Sequence, residues 1–487
     1  MNGDSSLLIG LVVYLLVMLA VGVRASRRVK RLDDFLLGGR RVGALAASIS
    51  ERASGESAWF LLGLPGAAYA VGFTEFWSVI GIAAGIFASW TLLALPLRKA
   101  TAEHGALTIP DYFEARFNDR SRLLRTVSMI IIVIFYTAYL AAQFVGGSKI
   151  LAATFGIEPM TGLLISVLVV TFYTCMGGFL AVVWTDVIQG FLMAAIAILL
   201  PAIGIAKLGG LGGFAGAVAA RGPDFLSMTG GKTGAAFVFG VMLGSLSWGL
   251  GYLGQPHLLA RYMAARGPRE IRNGTKIAVG WVLAAYWGAP LIGLVGIGIL
   301  GPDLADPETV MPLLTKTLLP GWIAGIFISA AIAAMMSTAD SQLIVVTSAV
   351  VEDFYVRILR RGGERPGHLV LASRLATILI ALVAFFLAVS SRDFIYDMVS
   401  YAWAGLGASF GPPLLLSLRW KETTRWGVLA GMLAGTFSNI VWKNMPAWNE
   451  ALDLKIASFL FSLAFTVAVS VATRGPESPR EGNRQRA

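Results

Sequence analysis

The sequence predicts an all-α polytopic membrane protein of about 13 transmembrane helices, broken in the second and seventh, on three observations. Of 487 residues, 56% are hydrophobic and 14% are charged, where soluble proteins carry about a quarter charged residues; the mean hydropathy is +0.73. Windows of about 20 apolar residues, enough to cross a bilayer as a helix, recur along the whole chain. The net charge of +11 is spread between those windows instead of gathering in one basic domain, so it marks topology and not a nucleic-acid partner. Soluble, fibrous and disordered classes are excluded, and the short alternating segments of a transmembrane barrel do not dominate.

The first window, 6–23, follows Asp4 and precedes an arginine cluster, the reverse of a signal peptide's charge order, so it is expected to remain as a helix. The second, 42–71, is too long and too polar at its centre for a simple helix: Ser48-Ile49-Ser50-Glu51-Arg52-Ala53-Ser54-Gly55-Glu56-Ser57-Ala58-Trp59. A charge at bilayer depth costs at least about 2.5 kcal/mol, so Glu51, Arg52 and Glu56 should face protein or water. The serines and Gly55 suit an unwound segment whose carbonyls line a cavity. Windows follow at 74–97, 125–152, 161–177 and 180–206. Tyr136, Tyr139 and Gln143 share one face of the fourth at helical spacing, and Gln143 needs hydrogen-bond partners. Cys175, the single cysteine, can form no internal disulfide and is expected to be a small packed residue. Asp186, near the cytoplasmic end of the sixth, either caps a helix or serves a site.

The seventh window, 234–264, contains a counterpart of the polar stretch in the second: Ser245-Leu246-Ser247-Trp248-Gly249-Leu250-Gly251-Tyr252-Leu253-Gly254-Gln255-Pro256-His257. Trp248 and Tyr252, four apart, present rings that could cover an aliphatic solute or its ammonium. Windows at 277–301, 318–349, 369–390, 394–418, 427–443 and 454–473 complete the set. The ninth carries Met336-Ser337-Thr338-Ala339-Asp340-Ser341-Gln342, whose hydroxyls are hard oxygen ligands suited to an alkali cation. Asp340 needs a partner at that depth. Tyr401 and Trp403 beside Gly405 repeat the aromatic theme in the eleventh. The connection 207–233 suits an interfacial helix, 302–317 is short and acidic, and the tail 475–487 is polar and expected to be disordered.

Two interrupted helices five apart run in opposite directions. That is the pointer to an inverted-repeat transporter with its site at the midplane. Alternate connections hold most Lys and Arg, among them Arg24 to Arg41, Arg98 to Arg125, Arg261 to Lys276 and Arg357 to Arg374. The positive-inside rule then places the N-terminus outside and the C-terminus in the cytoplasm of a multi-pass protein of the cell (inner) membrane.

The stretches Asp34 to Arg40, Leu64-Pro65-Gly66-Ala67, Pro110-Asp111-Tyr112-Phe113, Gly177 to Asp186, Trp248 to Arg261, Trp322 to Gly325, Met336-Ser337-Thr338 and Ser400 to Gly405 keep a common order and spacing. On these residues the chain resembles the sodium/solute symporter family over nearly its whole length, and within it the bacterial sodium/proline symporters. The resemblance implies a five-plus-five inverted repeat of the leucine-transporter kind, with 42–206 and 234–418 as units in one transmembrane domain, 1–474. It implies a sodium site on the carbonyls of Ala53, Glu56 and Ala334 and the hydroxyls of Ser337 and Thr338. A second cation, present in some members, would fall on Asp186, Ser337, Asp340 and Ser341. Solute contacts would map to the second-span break at Glu56 and Ser57, with Gln143 beside it, and to Tyr139, Trp248, Tyr252 and Pro256.

Proline symporters have an aspartate then a methionine where this chain has Gly55 and Glu56, and small neutral residues at Glu51 and Arg52. The guanidinium of Arg52 either takes the place of an ion, or pairs with Glu51, Glu56 or another carboxylate; the retained Ser337 and Thr338 favour pairing. The function expected is sodium-coupled symport of proline or a similar amino acid by alternating access, with sodium as coupling ion and no cofactor. The alternatives are a sodium-independent or proton-coupled transporter of an amine-bearing solute using Glu56 and Arg52, and, more remotely, a membrane solute sensor. No His-Glu-x-x-His or other catalytic constellation points to an enzyme.

Overall fold

The computed structural model describes residues 3–26, 37–176, 179–359, 366–391 and 393–474. The resembling residues Asp34, Phe35, Leu36, Gly177 and Gly178, and the tail from 475, lie outside them. Each apolar window coincides with a helical rod. These are α1 (Gly3–Ser26), α2 (Ala44–Ala58 continuing as Leu64–Val71), α3 (Phe76–Ala88 and Ala94–Glu103), α4 (Leu123–Phe155), α5 (Pro159–Met176) and α6 (Phe179–Lys207). There follow α7 (from Gly234, its second half Pro256–Ala264), α8 (Pro268–Ala285 and Gly288–Leu300), α9 (Gly321–Ser348), α10 (Pro366–Ser390), α11 (Ile395–Arg419), α12 (Arg425–Lys443) and α13 (Leu454–Thr473). Nine helical stretches among the described residues are long and apolar enough to cross a membrane by length and composition.

The centre is α2 and α9. α2 packs on α6, α8 and α9, and α4 on α9 and α11. Of the apolar window of α9, 83% is buried, against 28% in α13, and the flanks of α1, α10 and α13 leave Leu16, Phe386 and Phe465 exposed, as a lipid-facing surface requires. Close approach of α3 and α7 depends on glycine: a Cβ on Gly85 would overlap the Gly249 carbonyl, and one on Gly249 the Gly81 carbonyl.

The connections carry more structure than hydropathy alone shows. Leu211–Ala219 is helical, as expected of 207–233, and the acidic loop contains the helix Val310–Leu318. Its Glu308 accepts from Lys149 Nζ (2.6 Å) and from the Ile395 and Tyr396 amides (3.0 and 2.9 Å), so it caps α11. Arg125, expected in a basic loop, is 2% exposed and pairs with Asp111, Glu114 and Asp353, tying α4 to the helix Ile109–Phe117 and to the π-helical segment Ala349–Leu359 that follows α9.

Candidate functional site

The break in α2 is narrower than the polar stretch suggests. Residues 44–56 stay helical, including Gly55, and the chain turns at Ser57 (φ 59°, ψ −177°), a region occupied essentially by glycine, before a π-helical turn over Trp59–Gly63. The freed Ala58 N–H donates to Gln143 Oε1 at 2.9 Å, which gives that oxygen its partner while Gln143 Nε2 has none among the described residues. The Ser54 carbonyl, one turn back, accepts from Thr338 Oγ1 (2.8 Å) and His257 Nε2 (3.2 Å). Ser337 Oγ donates to the Ala53 carbonyl (2.9 Å) and lies 3.1 Å from the Ala334 carbonyl. Ala53, Ala334, Ser337 and Thr338 therefore converge between α2 and α9, all fully buried. The Glu56 carbonyl keeps a backbone partner, the Trp59 N–H. Among the described residues no three His, Cys, Asp or Glu gather as ligands, so the converging donors are hydroxyl and carbonyl oxygens, a hard set without concentrated charge.

α7 opens where expected: its helix stops after Gly251, Tyr252 to Gln255 are non-helical, and Pro256 starts the second half at a position that needs no N–H. Glu56, Ser57, Tyr139, Trp248 and Tyr252 line one cavity together with Trp59 and Trp403. Trp59 packs against Trp248 at 4.5 Å, the rings tilted by 39°, and Tyr252 meets Trp403 at 4.6 Å between ring centroids. The free volume inside is ≈ 10 Å³, room for about one water. Pro256 lies apart, in a separate cavity with Arg261 and Ser341, and Gln143 stands behind Ala58. Trp59 is a lining residue that sequence reasoning did not single out.

Arg52 turns away from the hydroxyl cluster. It grips Glu51 with two nitrogens, one through Nε at 2.7 Å, and reaches Glu56 Oε1 at 3.3 Å. Trp90 Nε1 donates to Glu51 at 3.0 Å, Tyr286 donates to Glu56, and Tyr252 offers its ring face 5.1 Å from the guanidinium. All three charged groups are fully buried and their formal sum is −1. The arginine thus pairs with carboxylates and does not enter the Ala53–Ser337–Thr338 cluster.

A second guanidinium does occupy a predicted cation position. Arg261, counted from sequence as a loop charge, is 2% exposed. It donates to Ser54 Oγ (2.7 Å), Ser341 Oγ (2.6 Å), Asp186 Oδ2 (3.1 Å) and Ser50 Oγ (3.2 Å). Asp186 is thus inside α6 and not a cap, and its Oδ2 also accepts from Ser50 (2.6 Å) and Ser54 (2.9 Å). Asp340 stands away from this set, accepting from Thr174 Oγ1 at 2.6 Å with its other oxygen unpartnered. The structure therefore brings Asp186 and Ser341 together around Arg261, without Asp340. The available signal was Arg261's helical spacing of four from His257, whose carbonyl it also holds at 2.7 Å.

Two broken helices thus enclose an aromatic cavity beside a carbonyl–hydroxyl cluster. The family model "Sodium:solute symporter family" matches residues 35–435. The high-affinity proline transporter PutP of Bacillus subtilis is 41% identical over 463 residues, covering 94% of this chain and 96% of that protein. The sodium/proline symporter of Escherichia coli is 38% identical, covering 98% and 95%. The fold matches that of a Na+-coupled sialic acid symporter solved in its substrate-bound outward-open state (21% identity, TM-score 0.79, 96% of this chain and 98% of that one). It also matches MhsT in complex with L-phenylalanine (13%, TM-score 0.57, 89% and 99%). This multi-pass membrane protein belongs to the sodium:solute symporter family.

Proposed function

We propose that the chain is a sodium-coupled symporter of proline or a similar small amino acid, working by alternating access. The observation that carries this reading is the set of α2 carbonyls turned to the α9 hydroxyls at the Ser57 break. Sodium would take oxygens from Ala53, Ala334, Ser337 and Thr338, with the Glu56 carbonyl at the break as a fifth, drawing α2 and α9 together. The similarity to sodium/proline symporters supports both the ion and the solute. Proline would lie in the cavity of Tyr139, Trp248 and Tyr252, its apolar ring against the indoles and its ammonium over their faces, near Glu56. Since that cavity holds about one water as it stands, the rings of Trp59, Trp248 and Trp403 must part to admit solute. Sodium couples to this motion only if it binds the admitting state more tightly, which is the thermodynamic requirement for symport. Spans α2 to α6 and α7 to α11 form the two inverted units, the N-terminus faces outward and the C-terminus the cytoplasm. We do not carry Asp186, Asp340 and Ser341 forward as a second ion site, because Arg261 already supplies the positive charge at Asp186 and Ser341.

Counterflow of radiolabelled proline into proteoliposomes, with sodium and with choline, tests this. Accumulation that needs sodium is expected; an active protein that exchanges no proline would reject the solute, and equal uptake in choline would reject the ion.

A further inference from the structure

A cavity of ≈ 600 Å³ lies between the entry to α2, the first turns of α6 and the chain leaving α7, on the arginine-rich face that the orientation above reads as cytoplasmic. One backbone contact sets its polar side. Val42 pairs with Ala265 as an isolated parallel bridge, its N–H donating to the Ala264 carbonyl (3.2 Å) and its carbonyl accepting from the Arg266 N–H (2.9 Å). Val42 and Ala265 are buried. Successive side chains of an extended strand point to opposite faces, so Arg41 and Arg266 turn outward together, and both line the cavity.

The cations around this bridge differ in one respect. Arg40 donates to the carbonyls of Thr101 (3.0 Å) and Ala106 (2.6 Å), and Arg98 to those of Ala265 (2.5 Å) and Arg266 (3.3 Å). The exposed guanidinium groups of Arg41 and Arg266 meet no carboxylate, carbonyl or hydroxyl among the described residues. The cavity lining holds these two positive charges and no acidic residue to offset them. Gly43, at the N-cap of α2, has no side chain to cap the first-turn amides, and their partial positive charge favours the same ligand.

The other wall is apolar. Leu45 and Trp184 line it and are 49% and 46% exposed, so it opens sideways to the hydrocarbon. An indole at a helix end suits the depth of lipid headgroups. The volume would take about twenty waters, far more than a lone phosphate ion fills.

We propose that this cavity binds an anionic phospholipid of the phosphatidylglycerol class, its phosphodiester between the Arg41 and Arg266 guanidinium groups and its acyl chains along Leu45 and Trp184. The lipid then joins the entry of α2 to the exit of α7, adding a third link to the two backbone hydrogen bonds of the bridge. The inference needs the bilayer and its orientation; neither solute nor sodium enters it.

The test is thermal unfolding of the full chain in detergent, titrated with phosphatidylglycerol, with phosphatidylcholine and with inorganic phosphate. The proteins are wild type, Arg41→Gln, Arg266→Gln and Arg269→Gln, the last an exposed arginine in the first turn of α8 outside the cavity lining. Phosphatidylglycerol is expected to raise the wild-type midpoint and phosphatidylcholine to leave it in place. The concentration giving half of that rise should increase about tenfold in Arg41→Gln and in Arg266→Gln, the worth of a charge-assisted hydrogen bond, and keep its wild-type value in Arg269→Gln. Without lipid all four midpoints should agree, since the exposed, unpaired side chains contribute little to the fold, and this reading separates lost lipid from lost structure. Equal stabilisation by phosphatidylcholine, or a half-rise concentration that changes equally in all three variants or in none, would overturn the site. The same rise from inorganic phosphate alone would overturn the lipid as its occupant.

Discussion

Arg52 and Arg261 show what it takes to hold a guanidinium at bilayer depth: every nitrogen direction is met by a carboxylate, hydroxyl, carbonyl or ring face. The two differ in consequence. Arg261 and Asp186 form a one-to-one pair, whereas Arg52 faces two carboxyl groups, Glu51 and Glu56, beside the inner cavity. Removing one partner of such a cluster is costlier than never having built it, because the remaining charge stays buried and unpaired. Arg52→Met is therefore expected to destabilise the protein by about 3–5 kcal/mol, measured by chemical or thermal unfolding in detergent, and Glu51→Gln/Arg52→Met by less. Equal losses in the two would show that the charges are not coupled. Sequence made the presence of Glu51, Arg52 and Glu56 inside a span plain; it left Arg52 either in an ion's place or paired with a carboxylate, and the retained Ser337 and Thr338 favoured pairing. It could not show that Arg261 joins a site, because a cation in the last turn of an apolar window has the same signature as a loop cation.

At the scale of the helix, the two breaks differ in legibility. In α7 the run Gly249 to Pro256 contains both glycines and a proline, so the interruption is visible in composition. In α2 the break fell on Ser57, two residues past the glycine that composition favoured. Gly55 stays helical and gives room to Leu258, whose methyl would lie 3.4 Å from an added Cβ, an ordinary contact. The flip at Ser57 is held by what surrounds it, the Gln143 bond to Ala58 and the Ser57 Oγ bond to Trp59 N at 3.1 Å. Tertiary partners of this kind are not written locally. Gly55→Ala is accordingly expected to keep proline uptake within about twofold of wild type, and Ser57→Val to abolish it with the protein still present in the membrane, since a β-branched residue cannot adopt φ 59° with ψ −177° at tolerable cost. Uptake assays with immunoblots check both; an active Ser57→Val would mean that the break moves freely.

For the whole molecule, hydropathy sufficed to place the rods, because a lipid-spanning helix must satisfy its own backbone and cover it with apolar side chains. What hydropathy could not supply was how rods meet, which here depends on single atoms such as the missing Cβ groups of Gly85 and Gly249. It also misassigned Arg125, a clasp between elements, to a loop. The orientation proposed from arginine distribution makes a direct expectation. In a Cys175→Ser background, an impermeant maleimide added to intact cells should label Lys207→Cys and leave Glu103→Cys unlabelled; the reverse would invert the topology.

The central claim is that carbonyls presented near the α2 break, with two α9 hydroxyls, hold the ion that drives uptake. The most direct measurement is the sodium-activation curve of proline uptake for wild type, Ser337→Ala and Thr338→Ala at a saturating proline concentration. The half-activating sodium concentration should rise at least about tenfold in each variant, the scale of one lost ligand to a charge. Sodium activation that stays at the wild-type value in both, or uptake that proceeds on a proton gradient with no sodium present, would contradict the account.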